Sequence, residues 1–342
     1  MLSVIIPCYG AFDYLREIAD DLLNQCFRDF EVVFVNDGDH RQDEILAEIV
    51  STDKRLKAVY KENGGVSSAR NCGLDNVNGE WIVMVDPDDR IEPYYLESLY
   101  NTVADGGADL GVGGFKIAND RMLTKCTERL FDKDFADKRI VSISDYFDYT
   151  EYMCDHRSVW NKIYKREIIE KYELRFDEQN KAAEDWKFNL DYYNVIKKVG
   201  LVRDCGYYYI WGNDGSQILS YYSDPVNARM RVVDKTTTLR RTLGRPESRV
   251  QEERRDDIAQ LCFAIIKNLF CTRNHPDIRN AVKYIKNEIL PCEEMMNAVA
   301  SSKHHKKTDL LQKYILLTRN AYVIAVMHKM LYVLKNLGKG YC

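Results

Sequence analysis

Asp86-Pro87-Asp88-Asp89 follows directly on the apolar run Trp81-Ile82-Val83-Met84-Val85. Three carboxylates within four residues repel one another unless a cation lies among them. Hard aspartate oxygens suit Mg2+ or Mn2+, ions that keep waters and also take diphosphate oxygens. The plainer alternative is an Asp-rich turn capping the helix near Ile91-Glu92-Pro93. Asp37 closes another apolar run, where a carboxylate accepts hydrogen bonds from a base or ribose, or is simply a turn residue. Tyr9 lies just past the first run and suits stacking on a planar base; otherwise it is an edge aromatic. Arg70 follows Gly64-Gly65 on the first turns of a predicted helix, as a charge-assisted donor to phosphate or a solvated helix charge. The glycine pair is no P-loop, since no Gly-Lys-Ser/Thr follows, and the first run lacks Gly-x-Gly-x-x-Gly.

The elements that must position these residues alternate. Apolar runs at 3–7, 31–35, 56–60 and 80–85 predict strands, and helical spacing at 11–26, 41–52 and 66–76 predicts helices between them. Such alternation gives a parallel sheet with helices on both faces, whose ligands bind at the carboxyl ends of the strands. Those ends are Pro7-Cys8-Tyr9, Asn36-Asp37-Gly38, Glu62-Asn63-Gly64-Gly65 and Asp86-Pro87-Asp88-Asp89. Every residue singled out above thus falls at, or just beyond, one sheet edge. Further strands are predicted at 110–116 and 201–210 and a helix at 184–197. From about 226 onward only helices are predicted, punctuated by Pro225, Pro246, Pro276 and Pro291.

The chain has 342 residues, 45% hydrophobic and 30% charged, ordinary for a globular protein. The net charge of -4 gives no case for nucleic-acid binding. Residues 301–342 hold eight Lys or Arg and one acid, Asp309, leaving -11 on residues 1–300. The ten cysteines form no Cys-x-x-Cys pair and read as reduced core residues. The opening MLSVIIPCY is not of the signal-peptide type, and no run of 18 apolar residues predicts a membrane span.

Taken in order, these segments resemble the glycosyltransferase family 2 enzymes, nucleotide-diphospho-sugar transferases of the GT-A fold. SVIIPCYGAFDYL is similar to the family's opening strand and helix, with Gly10 where Asn is usual. DFEVVFVNDGD, ENGGVSSARNCGL and WIVMVDPDD resemble its next three segments, and VWNKIYKREII and AAEDWKFNLDYY its acceptor-side segments. The likeness covers about residues 1–220. It implies a Rossmann-like αβα sandwich with a mostly parallel sheet, over residues 1–225, followed by a helical region over 226–342. The nucleotide-sugar half would be about 1–110 and the acceptor half about 111–225. It also implies roles. Pro7, Tyr9, Asp37, Arg70, Asp86, Pro87 and Asp88 would bind the nucleotide, with Arg70 facing its diphosphate. Asp86 and Asp88 would hold Mn2+ or Mg2+. Asp185, paired with Glu184, would be the general base of an inverting transfer; without the likeness, these acids read as helix-start charges favoured by the dipole.

Trp160 and Trp186 flank that segment as sugar-ring platforms for an acceptor or as core residues. His156 would be an acceptor contact or a packed histidine. Asn213 stands near where relatives often carry a His. The expected partners are a UDP-sugar donor and a glycan or lipid-linked acceptor in capsule, exopolysaccharide or lipopolysaccharide assembly. Residues 303–337 mix basic and apolar side chains, which fits peripheral membrane contact or packing on protein, and the YVIAVM run fits a homo-oligomer contact. The expected location is cytoplasmic, at the inner face of the membrane. The rival reading is an inactive, sugar-nucleotide-binding scaffold homologue.

Overall fold

The computed structural model describes residues 1–131, 139–150, 156–179, 183–211, 224–271, 276–302 and 307–338. Asn213 and residues 303–306 lie outside the described residues. The chain divides into two compact units, Met1–Gly215 and Ser216–Cys342.

The first unit opens with β1 (Leu2–Cys8), α1 (Leu15–Leu23), β2 (Phe30–Asn36), α2 (Asp43–Thr52), β3 (Leu56–Tyr60), α3 (Val66–Asp75) and β4 (Trp81–Met84). Next come β5 (Arg90–Ile91), α4 (Tyr95–Asn101), β6 (Leu110–Gly113), β7 (Phe115–Ala118), β8 (Cys126–Arg129), β9 (Arg139–Ser142) and α5 (Ile143–Thr150). It continues with β10 (Lys162–Lys165), α6 (Arg166–Lys171), α7 (Glu184–Tyr193), β11 (Lys198–Val202) and β12 (Tyr207–Ile210). Every residue of β1 and β2 is buried. Both faces of the sheet are covered there, which is why these strands are continuous apolar runs without alternation. In α1 the buried set Leu15, Ile18, Ala19 and Leu22 follows helical spacing.

The main sheet has the order β3-β2-β1-β4-β10-β6-β11-β9. β3, β2, β1 and β4 are parallel neighbours, as are β6 and β11. β10 is inserted antiparallel between β4 and β6, and β9 runs antiparallel at the edge. A second sheet has the order β5-β12-β7-β8.

Two single strands expected from the sequence are each divided between these sheets. The run at 110–116 becomes β6 and β7, and that at 201–210 becomes β11 and β12. The crossing points are tied together: Gly114 N donates to Val202 O at 3.1 Å and Cys205 N to Gly114 O at 3.0 Å. Hydropathy alone does not mark such a step, because both halves of each run are largely buried.

The second unit is helical among its described residues: α8 (Val226–Thr242), α9 (Glu247–Cys271), α10 (Ile278–Tyr284), α11 (Glu293–Ser301), α12 (Lys307–Leu317) and α13 (Ala321–Gly338). A π-helical turn, Ile285–Ile289, extends α10. Its core joins Cys262, Ile266 and Leu269 of α9 to Met295 and Val299 of α11 and Ile324 of α13. Among the described residues no helix is long and apolar enough to cross a membrane.

Candidate active site

The carboxyl ends of β3, β2, β1 and β4 lie side by side, because these four strands are parallel neighbours. Pro7 sits within β1, opposite Val35 of β2. It falls past the last β1–β4 pair, Ile5 with Met84, so its missing N–H removes no ladder bond. The chain then releases Tyr9, whose side chain is exposed.

Asp37 is buried, and its carboxylate fastens two turns together. It accepts from Lys61 Nζ at 2.7 Å and from the backbone N–H groups of Gly64 at 3.0 Å and Gly65 at 2.7 Å. Asn63 returns a bond from its Nδ2 to Asp37 O at 2.9 Å. Gly38 has φ +80, and a Cβ there would lie 2.6 Å from Asn63 N. Only glycine lets the two turns approach so closely. Gly65, at φ +87, then starts α3. The sequence reading assigned Asp37 to a nucleobase; in the structure its carboxylate shapes the turn that launches Arg70.

Arg70 is the hub of the site. Its side chain is 3% exposed and lies among three carboxylates. Nη1 donates to Asp185 Oδ1 at 2.5 Å and is 3.5 Å from Glu184 Oε1, and Nη2 donates to Asp86 Oδ1 at 3.0 Å. The guanidinium also lies over the Phe176 ring, 5.4 Å from its centroid. Phe176 in turn stacks on Phe188 of α7 at 4.2 Å. The amide of Asn71 exchanges two hydrogen bonds with the Phe176 backbone, at 3.0 and 2.8 Å. Burial alone would lower the Arg70 pKa, but Asp185, Asp86 and Glu184 outweigh it and the net shift is upward.

Glu184 and Asp185 open α7. Ala183, the residue before them, is left-handed at φ 57, a conformation that strains a residue with a Cβ. Burial pushes the Asp185 carboxyl above the usual range. Arg70 pulls it back, and the like charges of Glu184 and Asp86 push it up again. A partly exposed carboxyl of raised basicity beside a fixed cation is a general-base arrangement.

The Asp86 turn divides its three carboxylates among different tasks. Asp86 faces Arg70. Asp89 is buried, accepting from Tyr207 Oη at 2.5 Å and Ile210 N at 2.8 Å, and so ties the turn to β12. Burial, then Asp88 and Asp86, raise its pKa well above the ordinary value. The main-chain oxygen of Asp88 accepts from Arg121 Nη1 at 2.6 Å. Asp86 is thus held by a guanidinium and Asp89 by a hydrogen-bonding phenol. Among the described residues no group of three or more His, Cys, Asp or Glu side chains is placed to hold a metal ion. Asp86 and Asp88 still fit a hard divalent ion of the kind that takes one or two carboxylates and completes its shell with water and phosphate oxygens.

Trp160 and Trp186 are 6% and 8% exposed. Trp160 packs against Tyr207 at 4.5 Å and Phe115 at 4.6 Å, and Trp186 against His156 at 4.6 Å. The platform expectation for both indoles is therefore corrected: Trp160, in the turn before β10, and Trp186, on α7, are core rings buried among the aromatic side chains around them. His156 likewise belongs to this packing. The sequence reading missed Phe176, Asn71 and Tyr207. Asn71 lies within the ENGGVSSARNCGL segment, but its partner is more than a hundred residues away.

A mostly parallel sheet with an Asp-rich turn at its carboxyl edge, faced by a helix-start carboxyl pair, is the architecture that the resemblance to GT-A folds implies. Residues 3–173 match the family described as Glycosyl transferase family 2. The chain belongs to that family. It is 34% identical over 209 residues to glycosyltransferase GlyA of Streptococcus pneumoniae, covering 58% of this chain and 29% of that protein. It is 28% identical over 233 residues to a poly(ribitol-phosphate) beta-glucosyltransferase of Bacillus spizizenii, covering 66% of this chain and 34% of that protein. The chain thus spans well under two thirds of the length of these relatives. The structure of S. aureus TarS 1-349 in complex with UDP-GlcNAc superposes with a TM-score of 0.62 at 21% identity, covering 100% of this chain and 93% of that one. That likeness is one of fold.

Proposed function

We propose that this chain is an inverting glycosyltransferase. It moves a sugar from a nucleotide-sugar donor, UDP-linked, to a hydroxyl of a glycan or lipid-linked acceptor in the assembly of a bacterial surface polymer. The observation that carries the reading is the Arg70 bridge, which joins the Asp86 turn to the Glu184–Asp185 helix start. A single displacement needs a stabiliser for the leaving diphosphate and one base for the incoming hydroxyl, and the bridge brings candidates for both together. The names of the B. spizizenii relative and the UDP-GlcNAc-bound TarS support the polymer and the donor.

In this reading Pro7, Tyr9, Asp37 and Pro87 shape the nucleotide site, and Asp86 and Asp88 hold Mn2+ or Mg2+. Such an ion, when bound, neutralises charge on the leaving diphosphate. Asp185 accepts the proton of the acceptor hydroxyl as that oxygen bonds to the anomeric carbon. The bond from this carbon to the diphosphate oxygen breaks, and the nucleoside diphosphate leaves with the electron pair. Arg70 orients the base and offers a guanidinium to the phosphates.

The test is a panel of UDP-, GDP-, dTDP- and CMP-sugars, with and without Mn2+, read by thermal shift and nucleotide release. One UDP-sugar should stabilise the protein by mass action, and Asp88→Ala should remove the metal-dependent part. No stabilisation by any nucleotide sugar overturns the reading. Binding that never leads to nucleotide release, with or without acceptor, favours the scaffold homologue.

A further inference from the structure

Ten of the eighteen large hydrophobic side chains that stand exposed among the described residues fall between 310 and 333. On α12, Leu310, Leu311, Tyr314 and Leu317 share one helical face, while Ile315 and Leu316 are buried on the other. α13 repeats the arrangement. Tyr322, Val326, Met330 and Val333 are exposed, and Ile324, Ala325 and His328 are buried. A helix apolar all round is a buried helix, yet Tyr314 is 62% and Tyr322 70% exposed. Exposed apolar helix faces of this extent mark a contact surface.

The charge on these helices narrows what covers them. From 310 to 338 the sequence has no Asp or Glu, but it has Lys313, Arg319, Lys329 and Lys335. Arg319 is paired with Glu293 at 2.9 Å. Lys329 is exposed and lines a groove with Ile278, Val326, Met330 and Val333.

We infer that the exposed face of α12 and α13 rests on an anionic lipid bilayer, with its apolar side chains below the headgroups and Lys329 among them. A stretch that has no acid of its own from 310 to 338 and exposes Lys329 among apolar side chains complements anionic lipid, and exposed tyrosines favour the membrane–water boundary. The helices would lie in the interface, since neither is long and apolar enough to cross it. This surface is independent of the chemistry proposed above.

The full chain would be sedimented with phosphatidylcholine vesicles and with vesicles of phosphatidylcholine and phosphatidylglycerol in equal parts, at low and high salt. The expected result is partition into the anionic vesicles, stronger than into neutral ones by about fivefold per engaged lysine and weakened by salt. The double variant Val326→Glu, Met330→Glu should lose about tenfold or more of this binding. Its melting without lipid should be unchanged, because both positions are exposed. Lys329→Glu should reduce binding to the anionic vesicles only. Absence of sedimentation with either vesicle, or equal sedimentation of wild type and double variant, overturns the inference. So does a concentration-dependent dimer abolished by the same double variant, because the face would then join two copies.

Discussion

Replacing Arg70 by methionine keeps much of the side-chain volume and removes the cation among Asp86, Glu184 and Asp185. Removing one partner of a buried ion pair costs about 3–5 kcal/mol. The three carboxylates retain 15% to 26% of their side-chain exposure, so water screens them in part. The lower end, about 3 kcal/mol at pH 7, is therefore expected. For a unit of 215 residues that lowers the melting temperature by about 6–12 °C. The assay is tryptophan fluorescence during urea or thermal unfolding. All four tryptophans, Trp81, Trp160, Trp186 and Trp211, lie in the first unit, so the signal follows that unit alone. The pH dependence has a definite sign. Without the guanidinium, the clustered carboxylates repel and their folded-state pKa values rise above the unfolded ones. Protonation then favours the folded variant, and the penalty relative to wild type shrinks as pH falls from 7 to 5. Arg70→Lys keeps the charge but not the planar fork, and should fall between the two. A penalty under about 1 kcal/mol at pH 7, the size of an exposed pair, or one that grows on acidification, would refute the bridge as the element holding the site together.

Asp185→Asn should lower sugar transfer by about 10²–10⁴ while thermal shift by the donor persists. In the proposed transfer the deprotonated carboxyl is the working base, and burial raises its pKa, so the acid limb of kcat/KM should lie above the usual carboxylate range. Glu184→Gln removes a neighbouring like charge and should move that limb down. Tyr207→Phe leaves buried Asp89 without its phenolic donor, an expected loss of about 1–3 kcal/mol in the same fluorescence unfolding. In the second unit, burial lowers the pKa of His328 below 6.5. Its contribution to stability is complete above that value and lost as pH falls through the lowered one. His328→Leu should therefore flatten the decline of helical circular-dichroism melting between pH 7 and 5.

The sheet edge was legible because β1, β2 and β4 are buried on both faces, so burial alone turns their sequences into uninterrupted apolar runs. Tyr9, Asp37 and Asp86 follow three of those runs directly, and their common edge needed only the parallel alternation. The partners of these groups were not legible. Arg70 meets Glu184 and Asp185 across 114 and 115 positions, and Asp89 meets Tyr207 across 118. No local period encodes such pairs. The indoles show the same limit from the other side. Trp160 and Trp186 were equally compatible with a platform and a core, and only the folded rings around them decide.

The antiparallel strand β10 sets a schedule for a chain made from its N-terminus. β4 ends at Met84, but the neighbour that closes its far side begins at Lys162. At about 5–20 residues per second, the intervening stretch takes roughly 4–16 s to emerge. During that interval β3, β2, β1 and β4 can already zip together, with Trp81-Ile82-Val83-Met84 as a bare apolar rim. A naked rim of this kind is a template for pairing with another nascent chain. Chains halted before β10 should therefore be found in aggregates or on holdase chaperones, and those halted just after α7 should escape them.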